Sequence, residues 1–125
     1  MSSSTARLAV LVADGDAAIR SLLSAVVTRM ELEPVVVPDG ETAAALLAER
    51  QFGAVVIDSL LPGLSGDEIV ARLGEENPEM VGRTIVITTL PQPWVMRKCG
   101  GVAAVLRKPF ALDEIQEAIR RCCSR

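Results

Sequence analysis

The segment AVVIDSLLPGLSG, residues 54–66, decides the fold class of this chain. Its four leading apolar residues, mostly β-branched, predict a buried strand, and the Pro- and Gly-rich stretch that follows predicts a loop. Asp58 therefore stands at the carboxyl end of a strand, the edge where ligands bind in open α/β sheets. A carboxylate there is costly to bury unless it is paired or metal-bound, although an N-cap or a solvated turn Asp is an equally common reading.

Apolar strands alternate with helical patterns on both sides of this segment. The predicted strands are 8–12, 35–37, 54–57, 84–87 and 103–106. The predicted helices are 19–30, 41–50, 67–76, 94–99 and 112–123. The fourth helix is shortened because Pro91, Pro93 and Gly100 interrupt it. This alternation predicts an α/β fold, in which a parallel sheet is covered on both faces. We predict one domain over residues 7–125, preceded by a disordered polar tail over residues 1–6.

Composition excludes several classes of function. The chain has 125 residues, half of them hydrophobic, which is enough for one core. The net charge of −3 comes without a Lys/Arg cluster, which argues against direct nucleic-acid binding. No apolar stretch approaches the roughly 18 residues of a membrane span, and the polar N-terminus is too short for a signal peptide.

The residue types that are absent limit the chemistry further. There is no histidine, which excludes His-ligated metal, Ser-His or Cys-His catalysis and a phosphohistidine site on this chain. Three cysteines, Cys99, Cys122 and Cys123, form neither a CxxC motif nor a disulfide framework. We predict reduced thiols in a cytoplasmic protein, with at least one of the two adjacent cysteines facing the core.

Four further polar residues fall at the predicted carboxyl ends of strands. Asp14 and Asp16 follow the first strand, Thr88 the fourth and Lys108 the fifth, so all of them converge with Asp58 on one edge of a parallel sheet. This set suits phosphoryl chemistry. A carboxylate can be the nucleophile, carboxylates and carbonyls can hold Mg²⁺, and a Lys and a hydroxyl can hold phosphoryl oxygens.

With these residues the sequence resembles a response-regulator receiver domain of two-component signalling, a family of bacterial regulators. The segments that carry the resemblance are 55–66 around Asp58 and LRKPF at 106–110, and the resemblance extends from about Leu8 to Cys123. It implies a single doubly wound (βα)5 domain of the flavodoxin-like kind. The implied sheet has five parallel strands in the order 2-1-3-4-5.

The resemblance also implies a role for each site residue. Asp58 would accept a phosphoryl group from a histidine kinase or phosphotransfer protein, in a phosphorelay and not as an independent enzyme. Lys108 would pair with Asp58 or its phosphate. The peptide bond between Lys108 and Pro109 would be cis. Thr88 would bind a phosphate oxygen and couple phosphorylation to the last strand and helix.

The resemblance implies a Mg²⁺ site and protein partners as well. Asp14, Asp58 and the backbone carbonyl of Leu60 would be the metal ligands, and Asp16 is a weaker candidate. Beyond the kinase, the implied partner is a downstream protein or an output domain outside this chain. Homodimerisation through the fourth-helix region stays open.

Three departures from the family pattern leave the function open. Gly15 occupies the place of the usual second acid, which should weaken Mg²⁺ binding because charge count and ligand number set affinity. Val105 replaces an aromatic residue on the fifth strand. Trp94 lies in the Pro-interrupted fourth helix, either as half-buried core or as an exposed partner contact. The open alternatives are a working phosphoacceptor and a pseudo-receiver that signals without phosphorylation. A flavodoxin-like nucleotide binder is a third hypothesis, disfavoured because acids after the first strand repel phosphate.

Overall fold

Five parallel strands form the centre of the molecule in the computed structural model, which describes residues 8–124. The strands are β1 (Ala9–Ala13), β2 (Glu33–Val37), β3 (Ala54–Asp58), β4 (Thr84–Thr88) and β5 (Ala104–Arg107). Their order in the sheet is β2-β1-β3-β4-β5, and every neighbouring pair is parallel. The predicted α/β class and strand order are confirmed. The tail predicted over residues 1–6 lies outside the described residues.

Six helices connect and cover the strands in the described part of the chain. They are α1 (Ala17–Arg29), α2 (Gly40–Glu49), α3 (Gly66–Glu76), α4 (Pro78–Val81), α5 (Gln92–Lys98) and α6 (Leu112–Cys123). The five-helix prediction missed α4, because one turn is too short to show a hydrophobic period. The helix predicted to be shortened is α5, which has 7 residues.

Proline explains two boundaries that the sequence placed wrongly. β2 begins at Glu33 instead of residue 35, since it is an edge strand, where the missing N–H of Pro34 is tolerated. α5 begins at Gln92 instead of residue 94. Pro93 is accommodated there because it stands in the first helical turn, where its missing N–H has no intrahelical partner to lose.

The core has two halves, one on each face of the sheet. On the face that we call the α3 face, Ile57 and Val86 pack with residues of α3 such as Ile69. On the opposite face, which we call the α6 face, strand residues pack with Ile115 and Ile119 of α6. Because side chains alternate along a strand, this division fixes which way each residue at the carboxyl edge points.

The remaining sequence expectations on the core concern cysteine. Cys99 and Cys122 are buried, Cys123 is partly buried, and none of the three forms a disulfide within residues 8–124. The prediction that at least one of the last two faces the core is confirmed. No helix within residues 8–124 is long and apolar enough to cross a membrane.

Candidate functional site

A lysine joins two carboxylates at the carboxyl edge of the sheet. Lys108 Nζ lies 2.8 Å from Asp14 Oδ2 and 3.0 Å from Asp58 Oδ2. Asp14 follows β1, Asp58 ends β3 and Lys108 follows β5, so the lysine side chain reaches past the intervening strand β4. The Lys108–Pro109 peptide bond is cis, as the resemblance implies. The structure thus brings together three of the residues that the sequence singled out.

Asp14 is the most deeply buried member of this site, with 1% of its side chain exposed. Its Oδ1 accepts a hydrogen bond of 2.8 Å from the backbone amide of Asp16, and its Oδ2 accepts from Lys108. Its backbone carbonyl accepts from Arg20 Nη1 at 2.8 Å. The buried charge is therefore paired and hydrogen-bonded on both oxygens, which is the condition for burying a carboxylate at tolerable cost.

Asp58 is less buried than Asp14 and reaches solvent. Its side chain is 14% exposed, and its Oδ1 accepts a hydrogen bond of 3.0 Å from the backbone amide of Leu60. Its Oδ2 accepts from Lys108. A carboxylate that is fixed in place, open on one side and next to an ammonium group is a suitable nucleophile for an incoming phosphoryl group.

The charge state of Lys108 predicts a pH dependence of stability. Burial lowers its pKa, but hydrogen bonds and Coulombic attraction from Asp14 and Asp58 outweigh this effect, so that the pKa is raised above 10.5. Stabilisation from a raised lysine pKa is complete below the unfolded value and disappears as the pH rises through the folded one. We expect the free energy of unfolding in urea to fall above pH 10.5. The fall should be smaller in Lys108→Met, and equal falls would contradict the pairing. Burial also raises the pKa of the Cys99 and Cys123 thiols, which adds a loss of stability at alkaline pH in both proteins, so the difference between the two proteins reports on Lys108.

Thr88 is near this site, but the hydrogen bonds of its hydroxyl in the described part of the chain go to other residues. It is fully buried, and its Oγ1 lies 2.7 Å from Ser59 Oγ and accepts a 3.0 Å hydrogen bond from the amide of Leu90. Its carbonyl accepts from the backbone amide of Lys108 at 2.7 Å. Sequence reasoning missed Ser59. The available signal was a hydroxyl two residues after Ile57, hence directed to the same face of the sheet.

Asp16 and Leu60, the two remaining candidate metal ligands, make other hydrogen bonds in this structure. The Asp16 side chain is exposed and accepts a hydrogen bond of 2.8 Å from the amide of Ala18, which makes it the N-cap of α1. Asp is among the preferred N-cap residues because its carboxylate satisfies a free amide of the first turn. The backbone amide of Leu60 donates a hydrogen bond to the Asp58 carboxylate, and the Leu60 side chain is exposed.

The donor atoms of the site fit Mg²⁺ in kind but are few. Carboxylate oxygens of Asp14 and Asp58 and the carbonyl of Leu60 are the hard ligands that Mg²⁺ prefers. Within residues 8–124, however, no three Asp, Glu, His or Cys side chains gather as a metal cluster. A Cβ on Gly15 would stand 3.1 Å from Cγ and Cδ of Pro62, so the loops leave no ready space for a second acid there.

The region around α5 carries the other departures. Val105 is buried on the α3 face, and its carbonyl accepts a hydrogen bond of 2.7 Å from Gln92 Nε2 of α5. No aromatic side chain is present on β5 to rotate against Thr88. Trp94 is 44% exposed, and Lys98 Nζ lies 5.0 Å from the centroid of its ring.

Comparisons with known proteins agree with this geometry. The family model described as the response regulator receiver domain matches residues 10–120. The transcriptional regulatory protein TcrA of Mycobacterium tuberculosis is 31% identical over 114 residues, which cover 89% of this chain and 44% of TcrA. This chain thus spans less than half the length of that relative.

Two solved structures show the same fold. The receiver domain of the Francisella response regulator 1452 has a TM-score of 0.85 and 24% identity, over 95% of this chain and 98% of that one. The receiver domain of the sensor histidine kinase PA1611 from Pseudomonas aeruginosa has a TM-score of 0.83 and 19% identity, over 96% and 100%. The PA1611 structure holds a magnesium ion coordinated in its active site cleft.

A doubly wound five-stranded sheet with a lysine-bridged pair of carboxylates at its carboxyl edge defines a receiver fold. The chain belongs to the response regulator receiver domain family. Members of this family are signalling modules of two-component systems that bind Mg²⁺ and interact with histidine kinases or phosphotransfer proteins and with output domains.

Proposed function

We propose that this chain is a working phosphoacceptor receiver and that Asp58 carries the phosphoryl group. An Asp58 carboxylate oxygen forms a bond to phosphorus while the bond from phosphorus to the donor's histidine nitrogen breaks. The departing nitrogen keeps the electron pair. The observation that supports this is the partly exposed Asp58 carboxylate 3.0 Å from Lys108 Nζ, which can hold a phosphoryl oxygen as charge moves during transfer.

Thr88 has the second helping role in this proposal. Its hydroxyl would donate to a phosphoryl oxygen on Asp58, and its carbonyl already binds the backbone amide of Lys108. A change at Thr88 would therefore reach the segment that leads into α6. With Val105 in place of an aromatic residue, the signal leaves through this backbone connection and through the Gln92 contact between α5 and β5.

Mg²⁺ is part of the proposal, held by Asp14, Asp58 and the Leu60 carbonyl with water completing its shell. When bound, the ion offsets negative charge on the phosphoryl oxygens. Two carboxylates already shared with Lys108 give weaker binding than three free ones would. Asp16 is the further candidate ligand, and joining the metal would cost it the N-cap contact with Ala18.

A phosphorylation assay across Mg²⁺ concentrations tests this function. Incubation with acetyl phosphate should add one phosphoryl mass at Asp58, with half-maximal adduct at high Mg²⁺. In Gly15→Asp, which adds a carboxylate beside Asp14, we expect the Mg²⁺ requirement to fall on the order of tenfold. Pro62 must yield by a few tenths of an ångström in that variant.

Gly15→Ala is the matched control, since it meets the same Pro62 contact without adding charge. It should leave the Mg²⁺ requirement unchanged. Absence of any adduct at high Mg²⁺ in both the natural chain and Gly15→Asp would contradict the phosphoacceptor function.

The second candidate is a pseudo-receiver, a protein-interaction module that is independent of phosphorylation. Gly15 favours it, as do Val105 on β5 and the short helix α5. In that case, partner binding would be the same for the natural chain and for a chain with Asp58 replaced by Asn. The acetyl phosphate assay separates the two candidates, because only the phosphoacceptor gains mass.

The partners in this proposal are a histidine kinase or phosphotransfer protein and a downstream protein or output domain. The cytoplasm is the proposed compartment, in keeping with three cysteines that form no disulfide among the described residues. Trp94 and Met96, both exposed on α5, are the proposed contact surface for a downstream partner or a second copy. Trp94→Ala should weaken such binding without changing the phosphorylation of Asp58.

A further inference from the structure

Two buried hydroxyl groups, those of Ser59 and Thr88, meet beside the site. Their Oγ atoms are 2.7 Å apart, and the residues are only 4% and 0% exposed. Neither hydroxyl is hydrogen-bonded to the Asp58 carboxylate, whose partners in the described part of the chain are the amide of Leu60 and the ammonium of Lys108. Thr88 therefore stands close to the phosphoacceptor with its hydroxyl engaged elsewhere.

The pleat of the sheet explains why these two hydroxyls find each other. Ile57 and Val86 both pack on the α3 face. Because side chains alternate, Ser59 and Thr88, each two residues further along, are directed to that same face. The residue two before Asp58 packs on the α6 face instead. Asp58 consequently leaves the sheet on the opposite side from the hydroxyl pair.

Moving the Thr88 hydroxyl toward Asp58 would break its contact with Ser59. A buried hydroxyl that loses its partner is unfavourable, so Ser59 opposes the movement. The Ser59 backbone cannot follow, because its amide donates to the carbonyl of Ile87 at 3.0 Å and its own carbonyl accepts from the amide of Gly66 at 3.1 Å, so Ser59 Oγ reaches only the positions that side-chain rotation allows. The serine is fixed between β4 and the start of α3.

We infer that Ser59 is a positioning residue that holds Thr88 away from Asp58 and so sets how readily a phosphoryl group on Asp58 obtains the Thr88 hydroxyl. This rests on the proposed function, in which Thr88 donates to a phosphoryl oxygen. Val105 offers Thr88 no polar alternative on the α3 face. On phosphorylation, the Thr88 hydroxyl would exchange its hydrogen bond with Ser59 for one with the phosphoryl group. This exchange is then the step that distinguishes the phosphorylated from the unphosphorylated chain.

The first test needs no phosphorylation. Three-bond scalar couplings of Thr88, measured by NMR on the unmodified full chain, report its side-chain rotamer. We expect one dominant rotamer in the natural chain and a shift toward averaged couplings in Ser59→Ala, because Thr88 Oγ1 then keeps only the hydrogen bond from the Leu90 amide. Identical couplings in the two proteins would overturn the role of Ser59.

The second test measures affinity for beryllofluoride, an analogue of the phosphoryl group, in the presence of Mg²⁺. Ser59→Ala should bind it about 2- to 10-fold more tightly, the range that corresponds to one neutral hydrogen bond. Thr84→Val is the matched control, since it removes another buried hydroxyl of β4, one that donates to the Met80 carbonyl at 2.8 Å. It should leave the affinity unchanged.

The outcomes separate this inference from the function on which it rests. Equal or weaker beryllofluoride binding by Ser59→Ala, with binding by the natural chain intact, would overturn the role of Ser59 alone. If the natural chain takes up no beryllofluoride at any Mg²⁺ concentration, the phosphoacceptor function fails. The Thr88 couplings still decide in that case whether Ser59 fixes its rotamer.

Discussion

Asp58→Asn is expected to reduce the phosphoryl adduct formed with acetyl phosphate to background. The amide is a poor nucleophile, yet it has nearly the shape of the carboxylate and can keep the 3.0 Å hydrogen bond from the Leu60 amide. The loss would therefore be chemical and not a consequence of unfolding. Intact-protein mass spectrometry measures the adduct, and circular dichroism checks the fold.

Asp39→Asn is the matched control for this substitution. Asp39 is the N-cap of α2 and accepts from the amide of Thr42 at 2.8 Å, and Asn caps a helix about as well as Asp. The control should become phosphorylated like the natural chain. An adduct of unchanged yield in Asp58→Asn would mean that another residue is the acceptor, and would contradict the assignment built on the Lys108 contact.

Lys108→Met is expected to lower the free energy of unfolding by about 3 kcal/mol at neutral pH. The reason is Asp14, whose carboxylate is 99% covered and would lose the only cation that contacts it among the described side chains. Removing one partner of a buried ion pair leaves an uncompensated charge, which costs far more than the pair itself contributes. The side chains of Asp58 and Lys108 are 14% and 17% exposed. Solvent can therefore stabilise an unpaired Asp58 carboxylate better than an unpaired Asp14 carboxylate. Urea unfolding followed by circular dichroism measures the change.

Two variants make the Lys108 result interpretable. Lys98→Met breaks the 3.6 Å pair with Asp67 and removes the ammonium group 5.0 Å from the Trp94 ring centroid; both contacts are substantially exposed, so the change should cost no more than about 1 kcal/mol. The double variant Asp14→Asn with Lys108→Met should regain most of the lost stability, because it removes the buried charge together with its partner. If Lys98→Met and Lys108→Met lowered the free energy of unfolding equally, the ion pair between Lys108 and Asp14 would contribute no more than an exposed pair, which would contradict this prediction.

Much of the fold was predictable from local pattern. The apolar run before Asp58, repeated in four other strands, identifies a parallel sheet because each pattern depends only on residues a few positions apart. The same holds for α6, whose observed bounds coincide with the predicted ones. The predicted starts of β2 and α5 were wrong because of proline. Proline is tolerated in an edge strand but not in a central strand, and β2 is an edge strand. It is likewise tolerated in the first turn of a helix but not in the interior, and Pro93 stands in the first turn of α5.

Apart from Ser59, the residues gathered at the candidate site were predictable from the sequence, but their contacts were not. The sequence alone placed Asp14, Asp58, Thr88 and Lys108 at one edge, since parallel strands bring their carboxyl ends together. It also marked Gly15 as the place of a missing acid. Resemblance to receiver domains supplied the expected roles, and the family match shows that this class is right.

Only the tertiary structure decided which side chains meet. Lys108 contacts Asp14 across 94 positions and Asp58 across 50, and the hydroxyls of Ser59 and Thr88 meet across 29. No local pattern encodes such pairs, because they depend on strand order, register and the pleat that directs each side chain to one face. The sequence by itself determined a receiver with an incomplete acidic pocket. The folded chain determined that a lysine bridges the two remaining acids there, and that Thr88 is turned toward Ser59.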